Sequence, residues 1–269
     1  MLKDITLGQF FPGNSPIHRL DPRTKLVVLV LYIVALLVFA NAWATYLLLF
    51  AFLTSVIAVS QIPLKSIFKG LKPLVFVLIF TGILNLFFTT GERLLVQWWV
   101  IKIYWEGIVH AFFMVLRILM LIAGTLLLTY TTSPIALTDG LESLLGPLKK
   151  LHLPIHELAM MMCIALRFIP TLIEETDKIM SAQKARGADF ESGNLLQRVK
   201  ALVPILVPLF ISAFRRADEL ATAMECRCYQ GGEGRTKMKL LRYKLADFEA
   251  YGVGVLLLAA VITMSCFGL

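Results

Sequence analysis

The sequence predicts an all-α polytopic membrane protein, with about five transmembrane helices and a cytoplasmic arm of long amphipathic helices. Three observations carry this expectation. First, 58% of the 269 residues are hydrophobic, only 16% are charged, and the mean hydropathy is +0.78. Soluble domains sit near 45–50% apolar and about 25% charged. A soluble core of this length has no room for so much apolar surface, so lipid is the expected solvent for much of it. Second, the apolar residues fall into separate runs. Third, most of the charged residues are concentrated in one stretch, residues 131–247. The chain thus divides into an N-terminal segment with four spans (1–130), an arm (131–247) and a last span (248–269).

The spans follow from length. A helix needs about 20 apolar residues, at about 1.5 Å each, to cross about 30 Å of hydrocarbon. Apolar runs occupy residues 26–40, 43–59, 73–88, 107–130 and 248–267. Asn41 and Ala42 leave only a tight turn between the first two, and Arg117 lies inside the fourth.

Orientation follows from lysine and arginine. The loop before the third run carries Lys65, Lys69 and Lys72 and no acid, and the N-terminal segment carries Lys3, Arg19, Arg23 and Lys25. Both belong on the cytoplasmic side. The loop of residues 89–106 balances Arg93 and Lys102 with Glu92 and Glu106, and its Trp98, Trp99, Tyr104 and Trp105 suit an outer aromatic belt. The N-terminus is therefore expected on the cytoplasmic side of the cell membrane. The net charge of +8 fits loops facing an anionic leaflet, and there are no basic runs of the kind that mark nucleic-acid arms. Residues 1–23 lack the basic leading region, apolar core and small-residue cleavage site of a signal peptide.

The arm contains two long helix candidates, residues 154–186 and 196–229, after a shorter one at 134–151. Each long helix begins apolar and ends amphipathic. Leu172, Ile173, Ile179 and Met180 recur at helical spacing in the first, and Leu206, Phe210, Ala213, Ala217 and Ala221 in the second. A rival topology sends residues 158–173 and 201–214 through the membrane. It puts Lys178, Lys184, Arg186, Arg198 and Lys200 outside, against the charge rule.

Two arginines stand in matching contexts: Lys184-Ala185-Arg186-Gly187 and Glu225-Cys226-Arg227-Cys228 close the two long helices. Small neighbours leave a guanidinium accessible, so its planar fork can reach a carboxylate or carbonyl on a partner. Helix-end chemistry alone also accounts for them, with a cation complementing the dipole and Gly187 as C-cap. Ahead of the first span, Asp21 is placed to cap a helix and Pro22 to occupy its first position. Arg117 is either a functional intramembrane charge or one that only snorkels or bonds a neighbouring helix.

No chemistry of another kind stands out. The four cysteines match no zinc pattern or disulfide framework, and Cys226-x-Cys228 has no third ligand near it. His152 and His156 flank Pro154 without the glutamate of a metalloprotease helix. Residues 231–235 are glycine-rich but lack the lysine of a phosphate loop. With no nucleotide site and no nucleophile–base pair, a large charged arm is better suited to passing force than to catalysis.

With these residues in view, the chain resembles the transmembrane coupling subunit, or T component, of energy-coupling factor transporters, importers of vitamins and trace metals. The resemblance covers nearly the whole chain. It rests on Leu20-Asp21-Pro22-Arg23-Thr24-Lys25-Leu26, on Arg167-Phe168-Ile169-Pro170, on Ala182-Gln183-Lys184-Ala185-Arg186-Gly187 and on the motif around Arg227. It implies that Arg186, with Ala185 and Gly187, docks one ATPase subunit. Arg227, with Cys226 and Cys228, would dock a second. Asp21, Pro22, Arg23, Lys25, Arg167 and Pro170 would be motif and packing positions. ATP and magnesium would sit on the partners, with no cofactor on this chain. A separate small membrane-embedded subunit would bind the cargo and determine its identity. The second motif lacks the glycine of the first, which leaves open how its helix ends. The alternative, a self-contained carrier or channel, calls for broken spans in two matching halves, and no such repeat is present.

Overall fold

The computed structural model describes residues 10–39, 43–90, 94–98, 101–151, 154–188, 190, 194–232 and 240–267. Lys3, the Asn41-Ala42 turn, Glu92, Arg93, Trp99, His152 and residues 233–235 lie outside them, as do the side chains of Trp98, Lys102, Arg198 and Val199.

Among the described residues nine α-helices follow in order. They are α1 (Pro22–Val34), α2 (Trp43–Ser60), α3 (Leu64–Leu71), α4 (Val75–Phe88), α5 (Trp105–Thr131), α6 (Pro134–Leu145), α7 (Ile155–Ala185), α8 (Leu195–Cys226) and α9 (Leu245–Cys266). A π-helical turn, Ala35–Phe39, prolongs α1, and 3-10 turns at Lys72–Leu74 and Gly146–Leu151 follow α3 and α6. The chain forms two compact units, Gly8–Gly140 with Leu241–Leu269, and Leu141–Leu240.

In the first unit, a buried core joins α1 and the π-helical turn after it (Tyr32, Ala35, Leu36), α2 (Tyr46, Leu49, Leu53), α5 (Met120, Ala123, Leu127, Tyr130) and α9 (Leu257, Val261). Glycines lie where these helices touch, tightly at Gly124 and at ordinary contact distance at Gly254. A Cβ on Gly124 would meet the Tyr32 ring at 3.1 Å, and one on Gly254 would meet Leu31 and Val28 at 3.4 Å. Outside this core the pattern of a soluble protein is inverted. Phe76, Leu47 and Leu256 are 77%, 72% and 70% exposed, a surface that only lipid solvates without cost.

Three expectations need adjustment. The lysine-bearing loop before the third run is the helix α3, because Ile67 and Leu71, four apart, bury one side of it while Lys65, Lys69 and Lys72 stay exposed. The loop after α4 contains an antiparallel hairpin, β1 (Leu94–Trp98) with β2 (Ile101–Tyr104), rather than irregular chain alone. Among the described residues, six helical segments rather than five are long and apolar enough to cross a membrane, the sixth being α7.

Arg117 bonds a neighbouring helix: its Nε donates to the Tyr46 hydroxyl at 2.9 Å, and its guanidinium lies 5.7 Å from that ring's centre.

In the second unit α7 and α8 run antiparallel. Gln183 near the end of α7 meets Pro204 near the start of α8, whereas Glu175 pairs with Arg216 further along. Proline explains the first contact. Pro208 has no N–H to give the Pro204 carbonyl one turn earlier, and the Gln183 amide donates to that carbonyl at 3.4 Å. At the other end of this unit, His156 Nδ1 lies 3.0 Å from Glu142 Oε1, and the Gly232 backbone lies against the His156 ring, where a Cβ would come within 2.5 Å of Cδ2.

Candidate functional site

The two arginine motifs end their helices in the same way, bond for bond. In α7, Gly187 N–H donates to the Lys184 carbonyl at 3.0 Å and Ala188 N–H to Gln183 at 3.0 Å. In α8, Cys228 N–H donates to Glu225 at 2.8 Å and Tyr229 N–H to Met224 at 3.1 Å. This is the paired Schellman closure, which requires a left-handed residue just after the cap. Gly187 supplies it at φ +86°, and Cys228 supplies it at φ +54°, without a glycine's freedom. The open question about the second helix is thereby answered: it closes as the first does. Arg186 and Arg227 each occupy the cap position itself, and Ala185, Gly187, Cys226 and Cys228 are exposed beside them. Both guanidinium groups are exposed and, among the described residues, neither has a hydrogen-bond or ion-pair partner.

Because the helices are antiparallel, the two caps lie toward opposite ends of the pair. Gln183 marks the Arg186 end, against Pro204; from there to Arg227, α8 at about 1.5 Å per residue covers roughly 35 Å. One partner pocket could not hold both arginines at that separation. Arg167 and Pro170 lie on α7 with exposed side chains. Pro170 leaves the carbonyl one turn before it without its helical donor.

The Asp21 motif forms a buried polar junction in the first unit. Asp21 Oδ1 accepts the Arg23 N–H at 3.0 Å as the N-cap of α1, with Pro22 at the first position. Lys25 Nζ donates to the Thr131 carbonyl at 2.9 Å and to Thr132 Oγ1 at 3.2 Å, tying the start of α1 to the end of α5. The Arg23 guanidinium lies 5.2 Å from the Tyr243 ring centre.

Sequence reasoning missed the residue that closes this junction. Asp247 is 1% exposed. Its Oδ1 accepts the Asp21 N–H at 2.8 Å, and its Oδ2 accepts the Lys244 N–H at 2.8 Å, capping α9. One carboxylate thus fixes the entries of two helices far apart in sequence, through charge-assisted bonds of the stronger kind. An acid at the head of the last apolar run, three residues after Lys244, was the available signal.

Just upstream, Phe11 N–H donates to the Tyr130 carbonyl at 3.0 Å, and His18 holds the segment closed: Nε2 lies 3.1 Å from the Phe11 carbonyl and Nδ1 2.6 Å from Ser15 Oγ. Burial pushes the His18 imidazole below its ordinary value; the Phe11 carbonyl raises it and the nearby Lys25 charge lowers it.

Comparison with known proteins agrees with this architecture. The family of cobalt transport proteins, CbiQ, matches residues 13–238. The chain is similar to energy-coupling factor transporter transmembrane proteins from several bacteria. It is 57% identical to that of Clostridium kluyveri over 93% of each chain. Against that of Ruminiclostridium cellulolyticum it is 52% identical over 98% of each. Against that of Bacillus subtilis it is 51% identical over 97% of this chain and 98% of the relative. A family match across most of the chain, relatives matched nearly end to end, and the multi-pass helical architecture agree: the chain belongs to the CbiQ family of transmembrane proteins of energy-coupling factor transporters.

Proposed function

We propose that this chain is the coupling subunit of an energy-coupling factor importer for a vitamin or other micronutrient. Two ABC-type ATPase subunits dock on it, one at Arg186 and one at Arg227. ATP and magnesium reside on those partners, so the chain itself is non-catalytic. The recipient of the motion is a separate small membrane-embedded subunit that binds the cargo. The chain sits in the cell membrane with its N-terminus and the α7–α8 arm on the cytoplasmic side.

The observation that supports this most is the repeated Schellman closure, with an exposed arginine at the same position in each that has no partner among the described residues. A guanidinium offered from a helix cap can engage a carboxylate with two parallel bonds. Two such tips at opposite ends of one antiparallel pair suit two separate subunits. The pair is cross-linked by the Glu175–Arg216 ion pair and the Gln183–Pro204 bond. Displacement of one tip therefore carries to the other helix. Pro170, Pro204 and Pro208 mark where each helix can bend. ATP binding shifts the arm only insofar as the docked subunits contact it differently in their open and closed states. Ala213, Ala217 and Ala221, at successive turns, leave a low ridge on which another helix can cross closely.

The test is Arg186→Glu combined with Arg227→Glu. The double variant inserts into the membrane as the wild type does but no longer recovers the ATPase subunits on affinity purification. Undiminished recovery of both ATPases would remove the docking assignment.

A further inference from the structure

Helix α3 has three distinct faces, and among the described residues one of them is buried. Ile67 and Leu71 are 5% and 7% exposed. Gly70 fits against α5 so closely that a Cβ would meet Leu126 and the Tyr130 hydroxyl at 2.8 Å, and that hydroxyl donates to the Ser66 carbonyl at 3.2 Å. The helix is thus held in a fixed rotation. Lys65, Lys69 and Lys72 recur at i, i+4 and i+7, which places them on one face, and all three are exposed. Between that basic face and the buried one lie Leu64 and Phe68, 59% and 68% exposed.

We propose that α3 is a binding site for anionic phospholipid headgroups, with the three lysines on the phosphates and Leu64 and Phe68 in the outer acyl layer. This rests on membrane insertion and not on the ATPase-docking reading. Four observations favour lipid over a protein partner. No acid occurs from Gln61 to Thr90, and among the described residues none of the three lysines has an ion-pair partner. The helix continues through Lys72–Leu74 into α4, whose Phe76 and Ile79 are 77% and 57% exposed, so α3 stands where a lipid-facing span begins. An apolar edge beside a basic edge is the pattern of a helix lying in a membrane interface. Three ammonium groups on flexible stems suit several phosphates, since each can extend to headgroup level while its methylenes remain in apolar surroundings.

The experiment uses the full chain in lipid nanodiscs of phosphatidylcholine, with or without phosphatidylglycerol. Lipid retained after detergent extraction is counted by mass spectrometry. The wild type retains phosphatidylglycerol in preference to phosphatidylcholine. Lys65→Gln/Lys69→Gln/Lys72→Gln loses that preference, by about 5-fold for each lysine removed, the membrane-surface attraction of one cation. The corresponding triple arginine variant keeps it. An undiminished preference in the glutamine variant overturns the proposal, as does loss of a co-purifying protein subunit while the lipid preference stays intact. Should the glutamine variant fail to fold, the wild type decides: a headgroup site weakens as salt is raised, and a salt-independent preference overturns it.

Discussion

Cys228 holds a backbone angle of +54° that its side chain disfavours, whereas Gly187 holds +86° freely. The left-handed conformation costs an ordinary residue about 1–2 kcal/mol, and the Schellman closure of α8 carries that cost. Cys228→Gly should therefore stabilise the protein by up to about 1 kcal/mol, net of the extra freedom glycine has when unfolded. Gly187→Ala should destabilise it by a similar amount, since no neighbour lies within 4 Å to compensate. Thermal unfolding of the two variants in one detergent checks both, and equal midpoints would remove the claimed strain. The two sites differed in how legible they were. Gly187 is readable as a C-cap because glycine signals left-handed backbone; cysteine carries no such signal. Only its offset from Arg227, the same as that of Gly187 from Arg186, pointed to an equivalent ending. Asp247 was less readable still, because its main partner, Asp21, lies 226 residues away in sequence.

At the scale of elements, the spans were legible because lipid selects for unbroken apolar runs, and α7 and α8 because their stripes keep helical spacing. Helix α3 was hidden by its lysines, which read as loop until Ile67 and Leu71 are seen to bury the opposite side. The contacts that register α7 against α8 were not legible, since each requires knowing that the helices are antiparallel. The Glu175–Arg216 pair is the sharpest of these. Hydrogen bonding to Arg216 and Ser212 gives both side chains a defined position, though each remains about a third exposed, at 29% and 34%. Solvent screening therefore keeps the pair's contribution to stability small. Glu175→Arg and Arg216→Glu each place like charges together and should destabilise the protein. The double exchange restores the pair and should recover most of the loss. A double-mutant cycle on thermal stability measures this coupling; additive losses would mean the pair does not register the helices.

For the whole molecule, the deciding question is on which side of the membrane the α7–α8 connection lies. Length and composition allow α7 to be a span. Charge opposes it, because a crossing there carries Lys178, Lys184, Arg186, Arg198 and Lys200 to the outer side, and the lysine and arginine count governs orientation. The amphipathic C-terminal half of α7, with Glu174, Glu175, Asp177 and Lys178 within five residues, also suits an aqueous or interfacial setting better than hydrocarbon. The proposed docking depends on this answer, since ATP-consuming partners work in the cytoplasm and Arg186 must be presented to them there. Asn194 is exposed just before α8. With the four native cysteines changed to serine, Asn194→Cys should react with a membrane-impermeant maleimide in inside-out vesicles and stay unlabelled in right-side-out ones. The reverse pattern would put Arg186 outside, out of reach of any cytoplasmic ATPase, and would leave Arg227 as the only tip such a partner could grip.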